Sequence, residues 1–156
     1  MKRTDEQKIN SLHGDLKKRM FETGLQVQIV DDGCRDQMKD FMEGLKGLVG
    51  YSAWVIIEEE KIFFPGIISI APFMIPLLEQ EHRKLEELGE RICILADDYD
   101  EAYTAGEKKS TLMQIRTAYN EWMALTLQHL GREEMIINQV IAEEIVEVRV
   151  LSLVAA

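Results

Sequence analysis

All three prolines of this 156-residue chain, Pro65, Pro72 and Pro76, fall in the single window 65–76. A proline inside a helix removes a backbone donor and clashes with the preceding turn, at a cost of about 3 kcal/mol. One interruption is therefore obligatory, and the sequence on either side of it is free to be helical. Apolar residues recur there at spacings of three and four, the mark of amphipathic helices. From Asp5 to about Val30 they are Ile9, Leu12, Leu16, Met20, Leu25 and Ile29. Asp31-Asp32-Gly33 breaks the pattern, and Cys34 to Phe64 resumes it with Met38, Phe41, Met42, Leu45, Leu48 and Val49. Beyond the prolines, Phe73 to Tyr103 carries Leu77, Leu78, Leu85, Leu88, Ile92 and Leu95. After Thr104-Ala105-Gly106, Ser110 to about Val146 carries Leu112, Ile115, Tyr119, Trp122, Leu125, Leu130, Ile136 and Ile137. Four long amphipathic helices with short links predict an all-α fold, an antiparallel up-down four-helix bundle forming one domain over 1–156. Val148–Ala156 is left as a short extra C-terminal segment, while Trp54, Trp122 and the methionines read as packing.

Charge narrows the partners. Acidic residues number 28 against 18 basic ones, a formal net charge of −10. Such a surface repels phosphate backbones and anionic membranes, so neither nucleic acid nor membrane is expected as a partner. No secretory leader opens the chain, and Cys34 and Cys93 stand far apart without a CxxC pairing, so a cytoplasmic protein is expected. The apolar stretch Ile62–Leu78 holds the prolines and is read as a connection rather than a membrane span. No phosphate loop, nucleophile elbow or Cys/His pair is present, and the protein is not expected to be an enzyme.

The chain also repeats itself. Glu58 to Phe64 can be laid on Arg132 to Asn138, and Leu12-His13 with Leu16 on Glu81-His82 with Leu85. Each half then carries one histidine on a first helix and one glutamate, Glu59 or Glu133, on a second. His129 and Glu133 are four residues apart, so on a helix their side chains leave the same face one turn from each other. Histidines and glutamates converging from four helices form the donor set of non-haem metal centres in bundles. Imidazole suits iron, copper and zinc, and carboxylates neutralise a cation.

In this order, a histidine, an acidic second helix, a second histidine and then HxxxE, the sequence resembles the hemerythrin family in its hemerythrin-like (HHE) cation-binding form. Glu59 to Pro65, Glu81 to Leu85 and Gln128 to Glu134 carry the likeness, which extends from about Ile9 to Glu144. The resemblance implies non-haem iron, one or two ions or another divalent metal, with dioxygen as a partner and with iron handling, redox or oxygen response as the role. It assigns His13, Glu59, His82, His129 and Glu133 as ligands, and Glu86, four residues after His82, as an oxygen donor where oxygen carriers have a second histidine. One position departs. The family pattern expects a histidine where Val55 stands, and the internal repeat independently lays Val55 on His129. The replacement donor is left open between Tyr51, Glu58, Glu60 and water. Tight binding is expected at the half fed by His82 and His129, and weak or absent occupancy at the half fed by His13. The alternative is a metal-free degenerate bundle serving as a protein-interaction module, with 62–78 or 148–156 as surfaces for a homodimer. A di-metal oxidase or peroxidase ranks last, because one metal position lacks a ligand.

Overall fold

A computed structural model describes the backbone of residues 3–30 and 35–154, and the side chains of 4–30 and 37–142. Within them the chain is almost entirely helical, with no strand. Four long helices follow one another: α1 (Arg3–Ile29), α2 (Arg35–Ile67), α3 (Ile75–Glu101) and α4 (Ala105–Val154). A single 3-10 turn, Pro72–Met74, lies before α3. Helix α1 packs on α2, α2 on α3, α3 on α4 and α4 back on α1, closing a ring of neighbours around one apolar core. Trp122, Tyr119 and Phe63 are the bulkiest of the fully buried side chains. No helix among the described residues is long and apolar enough to cross a membrane. The 31–33 break and Cys34 lie outside the described residues, as do the side chains of the 148–156 segment.

Several helix boundaries differ from the sequence expectation. Helix α2 runs past Phe64 to Ile67 and takes Pro65 into its last turn, forgoing the one i→i−4 bond that a proline cannot donate. Pro72 opens the 3-10 turn and Pro76 falls in the first turn of α3, positions whose N–H would be unpaired anyway. Helix α4 begins at Ala105 rather than Ser110, because Thr104 and Glu107 form a reciprocal cap. The Glu107 N–H donates to Thr104 Oγ1 at 3.1 Å, and the Thr104 N–H donates back to Glu107 Oε2 at 2.9 Å. Helix α4 also continues through the tail to Val154.

The buried face of α1 contains Ile9, Leu12, Leu16, Met20 and Val27. Leu25 and Ile29, expected in the core, are 69% and 78% exposed. They stand two positions either side of Val27, roughly 200° around the helix, and point outward. Trp54, expected as packing, is also exposed. Part of the 62–78 stretch does fold inward: Phe63, Phe64, Ile67, Ala71 and Leu78 are buried, while Ile68, Phe73 and Leu77 face out.

The approach of α2 to α3 depends on Gly89. A Cβ there would lie 2.8 Å from Val49 Cγ1, whereas one on the exposed Gly47 would meet nothing within 4 Å. Gly47→Ala is therefore expected to raise stability by about 0.5–1 kcal/mol through helix propensity. At Gly89→Ala the crowding cancels that gain and gives a net loss of about 1 kcal/mol. Urea unfolding of the two variants beside the parent checks the opposite signs.

Candidate metal centre

Each helix brings its polar group to the core at a position where its periodicity calls for an apolar residue. His13 follows Leu12 and precedes Leu16 on the buried stripe of α1, and Glu59 lies between Ile56 and Phe63 on that of α2. His82 sits between Leu78 and Leu85 on α3, while His129 and Glu133 lie between Trp122 and Ile137 on α4. All five are at most 2% exposed. Ligand atoms of Glu59, His82, His129 and Glu133 lie within 4.8 Å of one another, the spacing of a set able to hold a metal ion.

The contacts order the set. His13 Nε2 is 2.9 Å from Glu59 Oε1 and 3.1 Å from Glu133 Oε2. The other oxygens face the opposite pair of rings: Glu59 Oε2 is 3.4 Å from His82 Nε2 and 3.8 Å from His129 Nε2, and Glu133 Oε1 is 3.6 Å from His129 Nε2. The outer nitrogens of that pair are engaged by carboxylates. His82 Nδ1 is 2.9 Å from Glu60 Oε1, and His129 Nδ1 is 3.1 Å from Glu81 Oε2. The Arg132 guanidinium lies against the other oxygen of Glu81. Phe64 stacks on His82 with the rings 7° from parallel and 5.4 Å apart, fixing its plane.

These contacts dictate where the protons are. An ionised carboxylate only accepts, so each Nδ1 facing one carries the hydrogen. The Nε2 atoms of His82 and His129 lie 3.1 Å apart and both face Glu59 Oε2. Glu59 Oε2 and Glu133 Oε1 are buried beside them and accept no hydrogen bond. Two imidazole nitrogens, Glu59 Oε2 and Glu133 Oε1 thus converge in a water-poor interior, an arrangement that costs several kcal/mol unless a cation resolves it. The donor set fits a metal of the imidazole- and carboxylate-binding class.

Electrostatics divide the two carboxylates. Burial disfavours a charge on Glu59, but the imidazoles of His129, His13 and His82 outweigh it and hold its carboxyl well below the usual range. Burial and the neighbouring Glu59 charge push Glu133 the other way, upward. For His13, burial disfavours the imidazolium, but Glu133 and Glu59 outweigh that and raise its pKa to about 9.

Of the six residues assigned by sequence, five meet in the core and Glu86 does not. Glu86 is exposed on α3, as is Glu87, and lies outside the cluster. None of the three side chains considered for the missing donor fills the place either. Tyr51 sits under the Arg19 guanidinium, 4.4 Å from its ring centre, beside Trp54. Glu58 turns outward to Lys8 at 2.6 Å, and Glu60 serves His82. Val55 is buried, 1% exposed. Sequence reasoning missed Glu81 and Arg132. The available signal was Glu81 itself, an acid three residues after Leu78 and seven before Leu88, on the apolar stripe of α3.

Comparisons with protein-family models, with characterised proteins and with solved structures gave no match to this chain. What fold and site define together is an all-helical protein with a buried histidine–glutamate cluster able to hold a metal ion.

The raised pKa of His13 sets a pH dependence for the metal-free protein. Its ordinary value is 6.5 and its folded value about 9, so the stability it adds is complete below pH 6.5 and lost as pH rises through 9. In chelator, parent stability is expected to fall between pH 6.5 and 9.5 by up to about 3 kcal/mol more than that of His13→Gln. Urea titrations at the two pH values check the difference.

Proposed function

We propose that this protein is a non-haem iron-binding protein of hemerythrin-like type, its helices arranged as an antiparallel up-down bundle, with a role in iron handling, redox or oxygen response. It acts as a binding protein rather than an enzyme. The observation that carries the reading is the convergence of His82, His129, Glu59 and Glu133, with buried carboxylate oxygens that have no donor. Imidazole nitrogen with carboxylate oxygen is a donor mixture suited to ferrous iron and disfavoured by calcium or magnesium, which prefer oxygen alone. A bound ion there would supply redox or Lewis-acid chemistry. The chain itself supplies the ligands, the outer carboxylates that orient the rings, and an apolar surround built by Phe63, Phe64 and Ile136.

Metal analysis of protein purified without a histidine tag, followed by anaerobic ferrous reconstitution, is the direct test. Negligible iron before and after would end this reading. With free ferrous ion about 100-fold above Kd, the parent is expected to gain about 5–10 °C in Tm, and His129→Ala to gain none. Glu81→Gln should weaken ferrous binding by about 10-fold, because it loosens the His129 ring without removing a ligand. Isothermal titration calorimetry reads that change.

A second reading, a metal-free bundle acting as an interaction module or homodimer, is favoured by apolar side chains left outside. Ile68, Phe73 and Leu77 are exposed on the proline-rich stretch. Phe21, Leu25 and Met123 line a hollow of about 230 Å³ between α1 and α4. It requires His129→Ala to leave Tm nearly unchanged in chelator and in iron alike, and analytical ultracentrifugation to show self-association.

A further inference from the structure

The two core carboxylates are used in halves. Glu59 Oε2 and Glu133 Oε1 face His82 and His129, while Glu59 Oε1 and Glu133 Oε2 face one atom, His13 Nε2, at 2.9 and 3.1 Å. In a pair of cations bridged by two carboxylates, each ion takes one oxygen from each bridge. Here the inner oxygens meet two imidazole nitrogens, and the outer oxygens meet the N–H of a third ring. The place a second ion would need between the outer oxygens is spanned by His13 itself.

The internal repeat shows why that side cannot be completed. On the His82 side, His129 is supported by Glu81, which is paired in turn with Arg132. The positions laid on His129 and Glu81 by the repeat are Val55 and Leu12, both buried. A ligand and its orienting partner are thus replaced together by an apolar pair, and the one other carboxylate near His13 among the described residues, Glu134, lies 4.0 Å from its outer nitrogen and is paired with Lys17. Charge agrees with geometry. Two buried carboxylates balance one divalent ion beside a neutral His13, and Arg132 balances Glu81; a second divalent ion would stand uncompensated in a dry interior.

Resting on the metal-binding reading above, the geometry points to a centre for one divalent cation per chain. It is held by His82, His129, Glu59 and Glu133, with His13 as the N–H clamp that sets the two carboxylates and not as a ligand to a second ion. His13 is in this sense a positioning residue. An amide nitrogen keeps the donor that the clamp needs, and an aliphatic side chain of similar size does not.

Anaerobic calorimetric titration with ferrous ion on the full chain tests this, with circular dichroism on each variant. One ion per chain is expected in the parent. His13→Gln should keep that ratio with affinity within about threefold, and His13→Leu should keep the ratio with affinity weakened about tenfold. A ratio of two in the parent, or loss of stoichiometric binding in a folded His13→Gln, overturns the one-ion centre and leaves metal binding standing. No ferrous binding by the parent overturns both. A measurement without substitution is nitrogen-15 NMR of the zinc-loaded parent. A proton on His13 Nε2 supports the clamp, and a deprotonated, zinc-bound Nε2 overturns it.

Discussion

Glu59 and Glu133 face each other across the centre of four helices with almost no access to water, and the rest of the core is arranged around that fact. Two carboxylates in an apolar interior repel each other and each loses its hydration, an unfavourable sum that packing alone cannot offset. What makes the position tenable is the ring of imidazoles. His13 reaches both carboxylates from α1, while His82 and His129 stand opposite from α3 and α4. Every helix of the bundle contributes to this one cluster. The polar contacts therefore fix the register of the four helices at the same level where Phe63, Trp122 and Leu130 fill the layers around it.

The repeat explains how the cluster became lopsided without leaving a hole. A buried histidine needs a partner for its outer nitrogen, and a buried carboxylate needs one for its own charge. On one side the chain meets both demands with the series Arg132, Glu81, His129. On the other side the corresponding positions are Glu58, Leu12 and Val55, and the demand is removed rather than met. Leu12 and Val55 need no hydrogen bond, and Glu58 turns away to Lys8 on the surface. A carboxylate at position 12 beside Val55 would be buried and unpaired. With Leu12 and Val55 together that half is apolar.

Much of this was legible in the residues, and the remainder was hidden for identifiable reasons. Helical periodicity and the confinement of the prolines pointed to four helices, because both act within a few residues of one another. The cluster was legible too, since HxxxE and the repeat place His129 with Glu133 and align Glu59 with Glu133. Periodicity alone does not decide which apolar stripe of a helix is buried when two compete. On α1 the residues Leu25 and Ile29 compete with Val27, and only the position of α4 settles it, with Arg116 donating to the Val27 and Val30 carbonyls. Glu86 looked eligible by spacing from His82 alone, yet a step of four on α3 led to the exposed side, while Glu81 lay on the apolar stripe. The outer partners of the histidines come from other helices, at separations that no local pattern encodes.

The two rings of the cluster differ in how firmly they are held, and the difference follows from exposure. Glu60, which takes the Nδ1–H of His82, is 48% exposed. Glu81, which takes the Nδ1–H of His129, is 9% exposed and is held from behind by Arg132. A charge-assisted hydrogen bond strengthens as water is excluded from it. His129 is thus fixed by electrostatics, through a carboxylate that is itself fixed. His82 depends more on shape, on the parallel stack of Phe64 against its face. Removing the carboxylate should therefore matter more for His129, and removing the aromatic ring more for His82, although the two imidazoles offer the same nitrogen to the same centre.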